Sequence, residues 1–279
     1  MKTGIINVNK PSGVSSGFVV NKLKRLTHCP CGHMGTLDPL ASGVLPVGVG
    51  NATRLFNYFL EKKKQYIAEF RFGVTSDTLD STGEIRVENP YIPTAEELKA
   101  ATRVWIGEVS QLPPKYSAKS VNGKRGYELA RKGIEFELSP KTVTIDRVEL
   151  LERVSDDTFR FVIDCGAGTY IRSLARDLAA ECKAQGIMTS LLRTKSGSFE
   201  LEHAVDLDRL TEENIESFII PTDDVVTLPT IEVKDKHIFN GLAQRTKMAD
   251  GLYKIYDENG LYGLSELQNG RVKIKTKLC

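Results

Sequence analysis

Gly32-His33-Met34-Gly35-Thr36-Leu37-Asp38-Pro39-Leu40-Ala41-Ser42-Gly43 is the stretch on which the reading of this chain turns. It holds a single carboxylate, Asp38, in a run of small and apolar residues with no other acid and no Lys or Arg. Small residues let a substrate backbone come close. A lone carboxylate in such a loop is suited to act as a nucleophile or base. A plainer reading stands beside it, and the residues by themselves favour it: Asp-Pro opens turns, and an Asp side chain caps its own backbone.

Outward from this stretch, Ile5 to Val8 reads as a short strand and Ser15 to Leu26 as an amphipathic helix. Residues 32–50 form a loop that leads into a buried strand near Val44 to Val49. Asn51 is a candidate cap for a helix through Leu60, and Tyr66 to Phe72 alternates as a strand. Thr94 and Glu97 have the spacing of a capping box for a helix to about Val104. Residues 111–126 contain Pro-Pro, Asn-Gly and four Lys or Arg, which predicts a long basic loop. Val143 to Val154 and Thr158 to Cys165 read as paired strands. Apolar residues at 171, 174, 175, 178, 179 and 182 predict a helix with Thr169 as its cap. The acidic stretch 200–217 reads as helical around Leu210 to Phe218. From Leu228 onward short strands dominate, with a hairpin signal at Asp257-Glu258-Asn259-Gly260.

The composition, 279 residues with 41% hydrophobic and 27% charged, is that of a globular chain with a large core. The longest uncharged run, Pro39 to Thr53, is too short to span a bilayer and is broken by Pro and Gly. The N-terminus lacks the apolar core of a signal peptide. Five scattered Cys, an odd number, suit a reducing cytoplasm. The net charge is only +2, but it is unevenly spread: residues 1–150 carry +6, and the connector 200–224 carries −8. Basic regions on either side of an acidic connector would favour a polyanion; solvated surfaces without a partner are an equal reading of charge alone.

Three further features carry chemistry. Gly168-Thr169-Tyr170-Ile171-Arg172 puts a cation in the first turn of a helix, against the helix dipole. Such an Arg, if buried, needs a carboxylate, with Asp38 a candidate; if exposed, it would pair with a neighbour such as Asp177. Lys64-Gln65-Tyr66 sets an aromatic at a strand start, where it is a core residue, a stacking surface or a phenol for proton transfer. His28-Cys29-Pro30-Cys31-Gly32-His33 packs four possible zinc ligands into six residues, but closed zinc sites use two separated ligand pairs. No Walker A loop or dinucleotide fingerprint is present.

Lys10-Pro11-Ser12-Gly13, the 32–43 stretch, Lys64-Gln65-Tyr66, Asp77-Thr78-Leu79-Asp80-Ser81-Thr82-Gly83, Tyr116-Ser117-Ala118 and Gly168-Thr169-Tyr170-Ile171-Arg172 occur in this order. Together they resemble the TruB family of tRNA pseudouridine synthases, from about residue 3 to about 200. The C-terminal part is more weakly similar to a PUA-type RNA-binding domain. The resemblance implies an α+β fold: a mixed-sheet catalytic domain over 1–225, with a basic RNA-gripping insertion at about 111–147, and a small β-rich PUA-like domain over 226–279.

It also implies isomerisation of uridine 55 in the T-arm loop of tRNA to pseudouridine, with no cofactor and no metal. Asp38 falls on the catalytic aspartate, which displaces the plainer reading of that residue. Tyr66 falls on the active-site tyrosine and Arg172 on the arginine that pairs with the aspartate. His33, Lys10, Asp80, Lys115, Lys119, Lys124 and Arg125 become RNA-binding candidates. The implied partner is tRNA alone, for a cytoplasmic monomer with no membrane and no obligatory protein partner. Lys119-Ser120, Gly126 and Gly166-Ala167 depart from the family pattern and bear on RNA grip. The competing expectations are a non-catalytic RNA-binding or RNA-chaperone protein, a guide-RNA-dependent synthase, and a zinc protein.

Overall fold

A computed structural model of the chain describes residues 3–116, 120–121, 124–125, 134, 136–231, 238, 244–245 and 247–278. Two compact units alternate along the sequence: residues 1–38, 44–60 and 202–279 form one, and residues 39–43 and 61–201 form the other. The fold is α+β, with mixed sheet, helices and a separate small C-terminal sheet.

In the first unit the strand Gly4–Lys10 is buried along almost its whole length. It lies beside Ser42–Val49, runs parallel to Val205–Asp206 and antiparallel to Ile220–Pro221. The helix Ser16–Thr27 begins where its sequence predicts: the Ser15 hydroxyl accepts from the Phe18 amide at 3.1 Å. It turns Val19, Val20 and Leu23 inward. The predicted helix capped by Asn51 is instead a 3-10 turn, Gly50–Leu55, followed by a short helix, Phe56–Leu60. Gly50 has φ +62°, and the Thr53 hydroxyl donates to its carbonyl, which tightens the turn. The acidic connector departs from the predicted helix too. It folds as three short 3-10 turns, Leu201–His203, Leu207–Arg209 and Ile215–Phe218.

The C-terminal sheet of this unit orders Gln244–Arg245, Arg271–Lys277, Gly260–Gln268 and Gly251–Asp257. The predicted hairpin joins the last two. Ile231, Ile238, Tyr253, Ile255, Tyr262, Leu267 and Val272 pack into one apolar cluster under it.

In the second unit five antiparallel strands follow the order Gly186–Ser196, Lys64–Phe72, Thr158–Cys165, Lys141–Arg153, Gly107–Gln111. Lys64–Phe72 alternates buried and half-buried residues without a break, as a strand with one core face must. Phe70 and Phe72 meet Phe161 and Phe159 across the strand pair, with ring centroids 5.0 and 5.8 Å apart. The helix Ala95–Val104 carries the predicted capping box of Thr94 and Glu97. The helix Ile171–Glu181 packs on the Gly186–Ser196 strand through Leu174, Ala175, Leu178 and Ala179. Its cap position is Tyr170 rather than Thr169, because the Thr169 hydroxyl donates instead to the Gly166 carbonyl. Among the described residues no helix is long and apolar enough to cross a membrane.

Candidate active site

Asp38 stands at the end of a loop whose base is closed twice. Cys31–His33 pairs with Val49, Gly48 and Val47, and the Met34 amide donates to the Pro46 carbonyl at 2.8 Å. Met34 is buried over Gly48, where any Cβ would stand 2.3 Å from its methyl carbon. Ser16 fixes the residue before Asp38 from both sides: its hydroxyl accepts from the Leu37 amide at 2.9 Å and donates to the Leu37 carbonyl at 2.8 Å. Leu37 is buried, Asp38 half-buried and Pro39 exposed. The carboxylate thus leaves an anchored backbone at a point where the chain meets solvent. His33 is half-buried.

The segment that follows, Pro39–Gly43, belongs to the second unit. There Ser42 and Gly43 run parallel to Leu192 and Arg193. Gly43 has φ +99°, and a Cβ on it would stand 2.3 Å from the Arg193 carbonyl oxygen, so only glycine fits. Arg193 in turn lies directly opposite Tyr66, which has Ile163 on its other side. Tyr66 is buried, and so is Lys64 two residues earlier on the same face. The Lys64 ammonium donates to the Lys62 carbonyl. Burial, and then the nearby Arg193 charge, push the Lys64 amine down to about 8. Burial pushes the neighbouring Cys165 thiol up to about 11, which leaves it neutral and a weak nucleophile.

Arg172 is buried, not a surface residue. Its Nη1 donates to the Thr78 carbonyl at 3.0 Å and its Nη2 to the Tyr116 carbonyl at 2.9 Å. The Asp80 carboxylate lies 3.6 Å from Nη1. Asp80 is buried too, and its Oδ1 accepts from the Thr78 hydroxyl at 2.7 Å and from the amide and hydroxyl of Thr82. Between them Leu79 holds φ +60°, a conformation that costs a branched side chain energy and persists only where its surroundings enforce it. Here the Leu79 amide donates to Ser76, and the Leu79 carbonyl accepts from Met188. Asp177, the alternative partner for Arg172, is bonded by Arg176.

The other sequence-predicted residues are placed as follows. Lys10 is fully buried, with its ammonium bonded to the carbonyls of Pro11 and Val14, so it shapes the turn it opens. Lys115 is exposed. Lys124 and Arg125 form a two-residue strand paired with Ser120–Val121. Lys119 lies outside the described residues, as do Ser117 and Ala118. Among the described residues no three His, Cys, Asp or Glu side chains form a group that could hold a metal. Arg193 was not singled out by its sequence; the one signal for it is a cation directly after the apolar pair Leu191-Leu192.

Residues 24–171 match the family model described as TruB family pseudouridylate synthase (N terminal domain). A "tRNA pseudouridine synthase B" of Clostridium kluyveri is 38% identical over 270 residues, covering 93% of each chain. One of Caldanaerobacter subterraneus subsp. tengcongensis is 37% identical over 281 residues, covering 98% of each. Among solved structures, the chain titled as part of a Cbf5-Nop10-Gar1 complex aligns with a TM-score of 0.72 at 24% identity, covering 99% of this chain and 85% of that one; this likeness is one of fold. The order of motifs, the anchored Asp38 loop and these relatives lead to one conclusion: the chain belongs to the TruB family of pseudouridylate synthases.

Proposed function

We propose that this pseudouridine synthase acts on tRNA and isomerises the single T-arm loop uridine at position 55. Relatives named tRNA pseudouridine synthase B, similar over nearly their full length, support tRNA as the substrate class. The observation that carries the chemistry is Asp38, the one carboxylate of its motif, set on a backbone that Ser16 clamps.

In the reaction the N1–C1′ bond breaks, uracil turns, and C5 bonds to C1′. C5 then loses its proton and N1 gains one, so the product is an isomer and no redox partner is consumed. As uracil leaves, C1′ becomes electron-poor, as in glycoside cleavage. Asp38 either traps C1′ covalently or removes a sugar proton. Arg172, which meets the Asp80 carboxylate and holds the Thr78 and Tyr116 carbonyls, fixes the backbone of the 78–80 loop beside Tyr116. Tyr66 stacks on the flipped base and accepts the C5 proton at the end. The target must leave its stack for this to happen, and His33 fills the gap it leaves. Lys115, Lys119, Lys124 and Arg125, in the basic insertion, hold RNA phosphates. Residues 1–225 act as the catalytic domain, and residues 226–279 as a PUA-like domain on a more distant part of the tRNA. The enzyme works as a cytoplasmic monomer without a guide RNA or protein partner.

The test is an unmodified tRNA transcript incubated with the purified protein alone, followed by chemical mapping of pseudouridine. One modified uridine, in the T loop, is the expected result. Modification elsewhere, or only after a guide RNA is added, overturns the assignment.

A further inference from the structure

The helix Ile171–Glu181 starts without the acceptors that a helix start ordinarily gathers. Tyr170, its cap residue, makes no side-chain cap bond, and the first turn carries no acid. The Thr169 hydroxyl donates to the Gly166 carbonyl and so does not cap it. The amides of a first turn have no partner within their own helix, and the helix dipole gives that end a partial positive charge. Elsewhere a Ser, Thr, Asp or Asn cap meets this charge. Here the charged side chain of the first turn is Arg172, whose guanidinium turns to Thr78, Asp80 and Tyr116.

Two side chains of the sheet meet the approach to this helix. Gln111 and Lys141 are directly opposed on neighbouring strands, so they share a face, with Cβ atoms about 5 Å apart. Gln111 is 1% exposed, and its Oε1 accepts from the Tyr170 amide at 2.8 Å. That bond sets the carboxamide against the helix start, yet its buried Nε2 donates to nothing among the described residues. A buried donor without an acceptor is rare and calls for a partner from outside the chain. Lys141 is exposed, and its ammonium lies over Gly168, where a Cβ would stand 2.8 Å from Nζ. Gly168 is exposed too. No acid pairs with Lys141 among the described residues.

Three sources of positive potential therefore converge: an ammonium, a carboxamide NH2 and the end of a helix dipole. A cation at a helix N-terminus is unfavourable by itself. An anion between them removes the conflict, and a helix N-terminus is a ready place for a phosphate. We propose that Lys141, Gln111 and the positive end of the helix Ile171–Glu181 hold one backbone phosphate of the substrate RNA. The four-carbon stem of Lys141 is flexible, so a phosphate drawn from solvent by the ammonium reaches the Gln111 amide beside it. A phosphate contact positions the RNA without reading its sequence. Here it seats the strand against the helix that carries Arg172. The inference rests on the reading of this chain as a synthase that acts on tRNA.

The experiment measures affinity of the full chain for a T-arm stem-loop over a series of salt concentrations. It is repeated with stem-loops in which one linkage at a time is an uncharged methylphosphonate. The variants are Lys141→Met, Lys141→Arg and Gln111→Glu, with Lys99→Met, on the helix Ala95–Val104, as the control for lost charge. Lys141→Met is expected to bind about tenfold more weakly and to lower the slope of log affinity against log salt by about one. Lys141→Arg and Lys99→Met keep the wild-type slope. Gln111→Glu keeps an oxygen for the Tyr170 amide but sets a negative charge where Nε2 stood, and it weakens binding at least as much as Lys141→Met. One methylphosphonate weakens wild type and leaves Lys141→Met no weaker, because that contact is already gone. The thermal midpoint of free Lys141→Met is no lower than that of wild type, since a cation has left a helix N-terminus; a purely structural lysine would lower it. Wild-type affinity and slope in Lys141→Met overturn the inference, and so does a loss that no single linkage accounts for. A wild-type protein that neither binds nor converts the stem-loop would instead overturn the reading of tRNA as substrate, and this inference with it.

Discussion

The guanidinium of Arg172 and the carboxylate of Asp80 lie 3.6 Å apart with side chains 7% and 6% exposed. Both side chains are buried, so each charge leans on the other and on the hydroxyls and carbonyls around them. Removing one partner of a buried pair leaves an uncompensated charge, at about 3–5 kcal/mol. Asp80→Ala is therefore expected to lower unfolding free energy by about 3 kcal/mol in urea and to slow conversion. Asp80→Asn, which keeps an acceptor for Thr78 and Thr82, should lose about 1–2 kcal/mol. An unchanged urea midpoint in Asp80→Ala would contradict the pairing.

Gly43 and Gly13 separate backbone strain from steric conflict. Both have positive φ, +99° and +89°, but nothing lies within 4 Å of a Cβ on Gly13, whereas one on Gly43 meets the Arg193 carbonyl. Gly13→Ala should cost about 1 kcal/mol and Gly43→Ala about 2–4 kcal/mol, read as thermal midpoints. Because Gly43 abuts the strand that faces Tyr66, its variant should also lose activity beyond its loss of stability. Equal effects at the two positions would argue against the close approach.

Lys64 should cost stability at neutral pH. Its folded value, about 8, is below the 10.5 of the exposed amine. Between those values the unfolded chain holds more protons than the folded one, so stability rises with pH across that window. The penalty is complete below about pH 8 and gone above about 10.5. Lys64→Met is thus expected to be more stable than wild type at pH 7, by about 1 kcal/mol or more, and to lose that advantage by pH 10.5. Thermal melts at the two pH values check this. A variant less stable than wild type at both pH values would contradict this penalty.

Much of this architecture is legible from local rules. Ser15 caps its helix, Thr94 and Glu97 form their capping box, and the 257–260 turn makes its hairpin. The Gly186–Ser196 strand was not legible. It lies beside Lys64–Phe72 along its whole length, yet its sequence, Gly-Ile-Met-Thr-Ser-Leu-Leu-Arg-Thr-Lys-Ser, does not alternate. Register shifts between Met188 and Ser190 and between Arg193 and Lys195 explain why, since each bulge moves the following residues to the other face. The acidic connector differs in the opposite sense: Leu207 and Ile215 reach the core from separate 3-10 turns and Leu210 from the residue that ends the first of them, not from one helical face. At the site, the motifs single out Asp38, Tyr66 and Arg172, but an Arg in a strand is ordinarily exposed, and the burial of Arg193 depends on tertiary packing.

We propose that Asp38 performs the isomerisation and that the protein needs no cofactor, metal or guide to do so. The most direct measurement is tritium release from a T-arm stem-loop carrying 5-tritiated uridine, with purified wild type and Asp38→Asn and no added cofactor, metal or guide. The expected result is one equivalent released per stem-loop by wild type, none by Asp38→Asn, and equal RNA affinity for the two. Release by Asp38→Asn at a rate comparable to wild type, or none by a wild-type protein that binds the stem-loop tightly, would contradict it.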